Sequence, residues 1–330
     1  MRFLFVGAGA VGAYMGAKMA HAGYDVTLHA RGPHLQAMQQ NGVRVTGASE
    51  DLIARPKAVG DLAQAGPMDV VFLCVKAHGV PALAPQLAPV LGPETIVVST
   101  QNGIPWWYFQ GLEGPFAGTR IERVDPGGVI AGAIEARRVI GSLIYFATEI
   151  ETPGVIRHND GNRISLGEPD GSRSERIRAI ADALIASGLK APVTVNLRNE
   201  IWVKLLGNVA FNPLSALTGA TLVQMARHPE VSNLVRSIMQ ETQTLAGKLG
   251  IEMPISIDQR MAGAEKVGEH KTSMLQDFEA GRPLELEAIV GSMVELGERA
   301  GVSMPCTRTV YACTKLLVER RDAALAKKNQ

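Results

Sequence analysis

Over its first half the chain alternates short apolar runs with stretches of helical period. RFLFVGAG reads as a strand, GAVGAYMGAKMAHAG as the helix after it, and YDVTLHAR as a second strand. DVVFLCVKA and ETIVVSTQNG are continuous valine-rich runs, the pattern of strands covered on both faces. Strands alternating with helices predict a parallel sheet with crossover connections. Around residues 139–168 β-rich runs, broken by Pro-Gly and Asp-Gly, predict antiparallel strands at the edge of that sheet. SERIRAIADALIASG then adds a helix and PVTVN a closing strand.

From about residue 196 the period changes. VSNLVRSIMQETQTLAGKLG and LELEAIVGSMVELGERAG carry apolar residues at intervals of three and four, as amphipathic helices do. The last residues, AALAKKNQ, read as frayed. The predicted architecture is α/β: a Rossmann-type, doubly wound domain over residues 1–195, then an all-helical domain over 196–330.

One helical stretch breaks the rule that apolar segments stay apolar. In IWVKLLGNVAFNPLSALTG, residues 201–219, Lys204, Asn208 and Asn212 fall four apart, and Glu200 lies on the same stripe. Trp202, Leu206 and Val209 point the other way. An unpaired buried ammonium is expensive, so the lysine either snorkels along its stem to water or has a chemical task. Asn212 precedes Pro213, which predicts a kink or stop there.

Composition narrows the partners. The 330 residues are 46% hydrophobic and 20% charged with net charge +1, which gives no footing for nucleic acid or an anionic membrane. No uninterrupted apolar run is long enough to predict a membrane span. Arg2 followed by FLFVGAGAVGAYMGA has the outline of a signal peptide, but its glycines are spaced for another purpose. Cys74, Cys306 and Cys313 are odd in number and without metal-ligand spacing, pointing to a reducing cytoplasm. The histidines form no metal motif, so no metal site is expected.

Gly7, Gly9 and Gly12, with Ala10 and Val11 between the last two, spell GAGAVG directly after a strand and at the start of a helix. In a dinucleotide fold the first glycine permits the tight turn, the second admits the pyrophosphate, and the third lets helix and strand pack. The helix N-terminus adds N–H groups and partial positive charge. An NAD-binding domain usually carries an acid about 20 residues on. Here the strand ends LHARG, with Arg31 at its tip and Asp25 at its far end, so a 2′-phosphate and NADP(H) are favoured. Lys76 and Asn102 follow two later strands on the edge where such sheets bind ligands.

With GAGAVG, Arg31, VKAH and QNG in the first half, WVKLLGNVAFNPLSALTG in the second and SMLQDFEAGRPLELEAIVG downstream, the chain resembles the ketopantoate reductases (2-dehydropantoate 2-reductases) over nearly its whole length. The resemblance implies NADPH-dependent reduction of ketopantoate to pantoate, a step in pantothenate synthesis. Lys204 matches the family's proton donor, and Asn208 and Asn212 its substrate-contacting asparagines. Ser273 matches a serine near the substrate carboxylate, and Glu285 an active-site acid that helps hold substrate and lysine. Gly7, Gly9, Gly12 and Arg31 match NADP contacts, Asn102 the asparagine near the nicotinamide, and Lys76 another cofactor-side position. Outside the resemblance, Ser273 reads as a helix N-cap and Glu285 as a surface acid. IPWWYFQGLEGPFAGTRIERVDPGGVIAG lies outside the shared signature: Trp106 and Trp107 either pack locally or form a rim that alters access to the substrate. The competing readings are a reductase of another 2-oxo or hydroxy acid and a non-catalytic NADP-binding sensor. The set Lys204, Asn208, Asn212, Ser273 and Glu285 speaks against a sensor, which has no need of a proton donor. A helical second half offers surface for a homodimer.

Overall fold

The computed structural model describes residues 1–48 and 50–328. The chain forms two compact units, and neither is continuous in sequence. The first comprises Met1–Gln101, Pro105–Thr119 and Gly127–Leu197; the second comprises Asn102–Ile104, Arg120–Pro126 and Arg198–Gln330. Apart from the two short excursions, the division falls between Leu197 and Arg198.

The first unit is built on a nine-stranded sheet. In chain order it runs β1 (Arg2–Val6), α1 (Ala10–His21), β2 (Asp25–His29), α2 (Gly32–Asn41), β3 (Val43–Gly47), β4 (Asp51–Ala54) and β5 (Lys57–Val59). It continues with β6 (Met68–Leu73), α3 (Val80–Leu83), β7 (Leu91–Ser99), α4 (Val129–Ala133), β8 (Val139–Thr152), β9 (Val155–Gly167) and α5 (Glu175–Ala186). The spatial order is β4-β3-β9-β8-β7-β6-β1-β2-β5. From β1 the chain steps to β2 on one side and later to β6 and β7 on the other, all in parallel. The direction of winding therefore reverses between β1 and β6, which is where a doubly wound sheet takes its ligand. Below that point the core is fully apolar: Phe5 and Phe72 are buried with ring centroids 4.7 Å apart.

Two expectations about this sheet need correction. β8 and β9 do pair antiparallel, but they are not at the edge, because β3 pairs in parallel with β9 and β4 lies beyond it. β3 is only VRVTG, with Val43 and Val45 buried and Arg44 exposed; that short alternation was the signal for it. PVTVN contributes one isolated bridge, at Val193, rather than a strand. Ile164 N–H donates to Lys190 O at 2.8 Å, but the bond returned to Ile164 O would have to come from residue 192, a proline with no N–H.

The second unit is helical throughout its main body. It contains α6 (Leu197–Thr218, counted from Arg198), α7 (Leu222–Arg227), α8 (Pro229–Lys248), α9 (Ile257–Val267), α10 (Ser273–Glu279), α11 (Ser292–Ala300) and α12 (Pro305–Lys328). A π-helical turn, Glu287–Gly291, leads directly into α11. The helix does not stop at Pro213, for α6 continues to Thr218. An interior proline costs about 3 kcal/mol. Burial of Leu214, Ser215 and Ala216 in the following turn opposes that cost. The expected fraying does not begin at Ala323, since α12 extends to Lys328; residues 329 and 330 lie outside the described residues. Among the described residues no helix is long and apolar enough to cross a membrane.

Candidate active site

The loop after β1 assigns each glycine a separate physical demand. Gly7 has φ +86°, and a Cβ there would stand 2.4 Å from Val75 Cγ1, just beyond β6. A Cβ on Gly12 would stand 2.9 Å from both Cys74 Cβ and Gly7 O, so only glycine lets α1 close on the sheet. Gly9 differs: its Cβ would meet nothing nearer than Gly7 O at 4.0 Å. That side of the loop is open, beside an α1 N-terminus that has no side-chain cap and no acid in its first turn. These residues fit a pyrophosphate, which needs close backbone approach and unopposed positive potential.

The neighbouring strand tips are consistent with that fit. Arg31 is exposed at the N-cap of α2, and its charge is the second cause, after burial, that lowers the pKa of His29. Asp25 is at the far end of β2. Lys76 follows Val75 at the N-cap position of the short turn 77–79. Gln101 Nε2 donates to Leu73 O at 2.7 Å and Val75 O at 2.9 Å, tying the end of β7 to the end of β6. Beneath the loop, burial pushes the Cys74 thiol up to about 12, so it stays protonated.

In the second unit the polar stripe of α6 stands as the spacing predicts, with Lys204 and Asn208 partly buried and Asn212 buried. Burial drives the lysine's pKa down to about 8, and the charge of Glu285 acts in the opposite sense. Glu285 is itself buried, 7% exposed, and accepts a hydrogen bond from Asn102 Nδ2 at 3.0 Å. It is not a surface acid. The π turn explains how residues 183 apart meet: Ala288 O accepts from Ile104 N–H at 3.2 Å. Gly103, at φ +94°, sits so close that a Cβ would be 2.2 Å from that oxygen. Asn102–Ile104 are therefore docked on the widened turn, and Asn102 faces Glu285.

The remaining sequence expectations divide. Ser273 is exposed and does not cap α10; Thr272 does, accepting from Leu275 N–H at 3.2 Å. Thr272 Oγ1 also lies 2.7 Å from Ser215 Oγ, three residues past Asn212, which brings the start of α10 to α6. Trp106 and Trp107 are both buried in the first unit. Trp107 Nε1 donates to Ser99 Oγ at 2.7 Å, and its ring fills the space beside Gly141. Trp107 packs locally, and Trp106 beside it is buried.

Two family models match this chain: "Ketopantoate reductase PanE/ApbA" over residues 3–171 and "Ketopantoate reductase PanE/ApbA C terminal" over residues 196–318. A 2-dehydropantoate 2-reductase of Mesorhizobium japonicum is 47% identical over 322 residues, spanning 97% of this chain and 99% of that protein. The chain belongs to the ketopantoate reductase family. It is an oxidoreductase acting on the CH–OH/C=O couple, in a family that depends on NAD(P). A crystal structure from Ralstonia solanacearum MolK2 is 39% identical and superimposes with a TM-score of 0.92, covering 97% of this chain and 98% of that one. D-mandelate dehydrogenase, solved with NADH and anilino(oxo)acetate, has a TM-score of 0.83 at 19% identity, covering 98% and 99%. At that identity it speaks for the fold alone.

Several residues of this ketopantoate reductase relative escaped the sequence reading. Gln101 was quoted within QNG but given no role, although it holds the β6 and β7 tips together. Arg123 and Tyr311 were not singled out, and no local spacing marks them.

Proposed function

We propose that the protein reduces 2-dehydropantoate to pantoate with NADPH, with Lys204 as the proton donor. The observation that carries this reading is a lysine on an apolar helix, its pKa lowered to about 8, beside a buried carboxylate. Such an ammonium is acidic enough to release its proton near neutral pH and is still largely protonated there.

The nicotinamide, when bound, supplies hydride to the keto carbon. Residues 1–195 bind it: Gly7, Gly9, Ala10, Val11 and Gly12 receive the pyrophosphate, Arg31 the 2′-phosphate, and Lys76 and Asn102 stand on the coenzyme side. Residues 196–330 serve the acid substrate. Lys204 Nζ donates a hydrogen bond to the keto oxygen and transfers its proton as negative charge develops there. Asn208, Asn212 and Ser273 hydrogen-bond the substrate. Glu285 favours the ammonium form of Lys204, so the proton is present when substrate arrives. Three free cysteines suit a reducing cytoplasm, and a symmetric homodimer is the expected assembly.

Steady-state rates with NADPH and NADH against a panel of 2-oxo acids test substrate and coenzyme together. The reading expects ketopantoate to give the highest kcat/KM and NADPH to be preferred. A higher kcat/KM for an unbranched 2-oxo acid, or a preference for NADH, would overturn the corresponding part.

A further inference from the structure

The second unit contains a charged cluster that the reading above does not use. Arg123 Nη1 donates to Glu287 Oε2 at 2.8 Å and also to Tyr311 Oη. Tyr311 Oη in turn donates to Glu287 Oε1 at 2.8 Å. The segment carrying Arg123 is fastened a second time, for Glu295 accepts from the N–H groups of Glu122 and Arg123 at 2.9 and 3.0 Å. Gly291 makes room for the cluster. A Cβ there would lie 2.5 Å from Glu287 Oε2 and 2.9 Å from Arg123 Cδ.

Stability does not account for such a construction. Arg123 and Glu287 have side chains 34% and 41% exposed, and an ion pair so open to solvent stabilises little. What the cluster does is geometric. Glu287 is the first residue of the π turn and Gly291 its last, while Glu295 lies one turn on in α11. The same turn presents Ala288 O to Ile104 N–H and follows directly on Glu285. A π turn is wider than an α turn and is found mostly as a single turn at functional sites. Here it is clamped from outside at both ends.

We propose that Arg123, Glu287 and Tyr311 are positioning residues that hold the π turn so that Glu285 and Asn102 keep their places beside Lys204. This rests on the reading of Lys204 as proton donor. The cluster touches neither substrate nor coenzyme in this role; it acts through Glu285.

A double-mutant cycle on the full-length enzyme separates positioning from ordinary structural support. Tyr311→Phe removes one hydroxyl and leaves the ring in place. The expected result is a fall in kcat of about tenfold in the otherwise native enzyme, with the Kd for NADPH unchanged, and less than about twofold in the Glu285→Gln background. Arg123→Lys, which keeps the charge but not the two bonds, is expected to behave in the same way. Equal losses in both backgrounds, or no loss in either, would overturn the proposal. Lys204→Ala is measured alongside. If it retained native turnover, the proton-donor reading itself would fall and the positioning role with it; if it were inactive while the cycle was additive, only the positioning role would fall.

Discussion

Replacing Lys204 with methionine should stabilise the protein while removing its activity. The ammonium's pKa falls from its ordinary 10.5 to about 8 on folding, chiefly through burial. At about 1.4 kcal/mol per pH unit, the folded state pays about 3 kcal/mol at neutral pH to keep that charge. A base whose folded pKa is depressed binds fewer protons folded than unfolded between the two values, so its penalty is complete below about 8 and disappears as pH rises toward 10.5. Lys204→Met keeps most of the side-chain volume and has no proton to bind. Its advantage in urea unfolding should reach up to about 3 kcal/mol at neutral pH and shrink steadily across that window. An advantage that does not change with pH, or a variant less stable than the parent at neutral pH, would refute the assignment of a costly buried ammonium.

Further outcomes follow from the first unit. Gly12→Ala should destabilise by about 1–3 kcal/mol, because its methyl group meets Cys74 and Gly7 O at 2.9 Å. Gly9→Ala should leave the melting temperature unchanged and weaken NADPH about tenfold, read by fluorescence titration. Arg31→Ala should cost about 1.5–3 kcal/mol of NADPH affinity and leave NADH affinity within about twofold, which a binding comparison of the two coenzymes checks. Ser99→Ala leaves the buried Trp107 N–H without its acceptor and should cost about 1–3 kcal/mol in denaturant unfolding.

How far the sequence could be read depended on the distance between interacting residues. Gly7, Gly9 and Gly12 occupy one tight turn, so their spacing alone carries the dinucleotide geometry, and Gly7 and Gly12 each prove to have a steric reason of their own. Lys204, Asn208 and Asn212 were legible because a helix repeats nearly every four residues. Local propensity misled at Ser273, where the adjacent Thr272 takes the cap, and a stop at Pro213 does not occur, burial of the next turn opposing the cost of the missing bond. β3 was missed because five residues make too short an alternation to stand out. The contact of Asn102 with Glu285, and that of Arg123 with Glu287 and Tyr311, join positions more than a hundred residues apart. No periodicity encodes such contacts; only the docking of a short excursion on a π turn creates them.

The most direct test of the account is NADPH oxidation with ketopantoate, followed at the coenzyme's absorbance band, in the native protein and in Lys204→Ala. The account predicts rapid turnover in the first, a loss of about 100- to 10,000-fold in the second, and the same NADPH affinity in both. Native-like turnover by Lys204→Ala would contradict the assigned proton donor, and tight NADPH binding without ketopantoate reduction by the native protein would contradict the substrate.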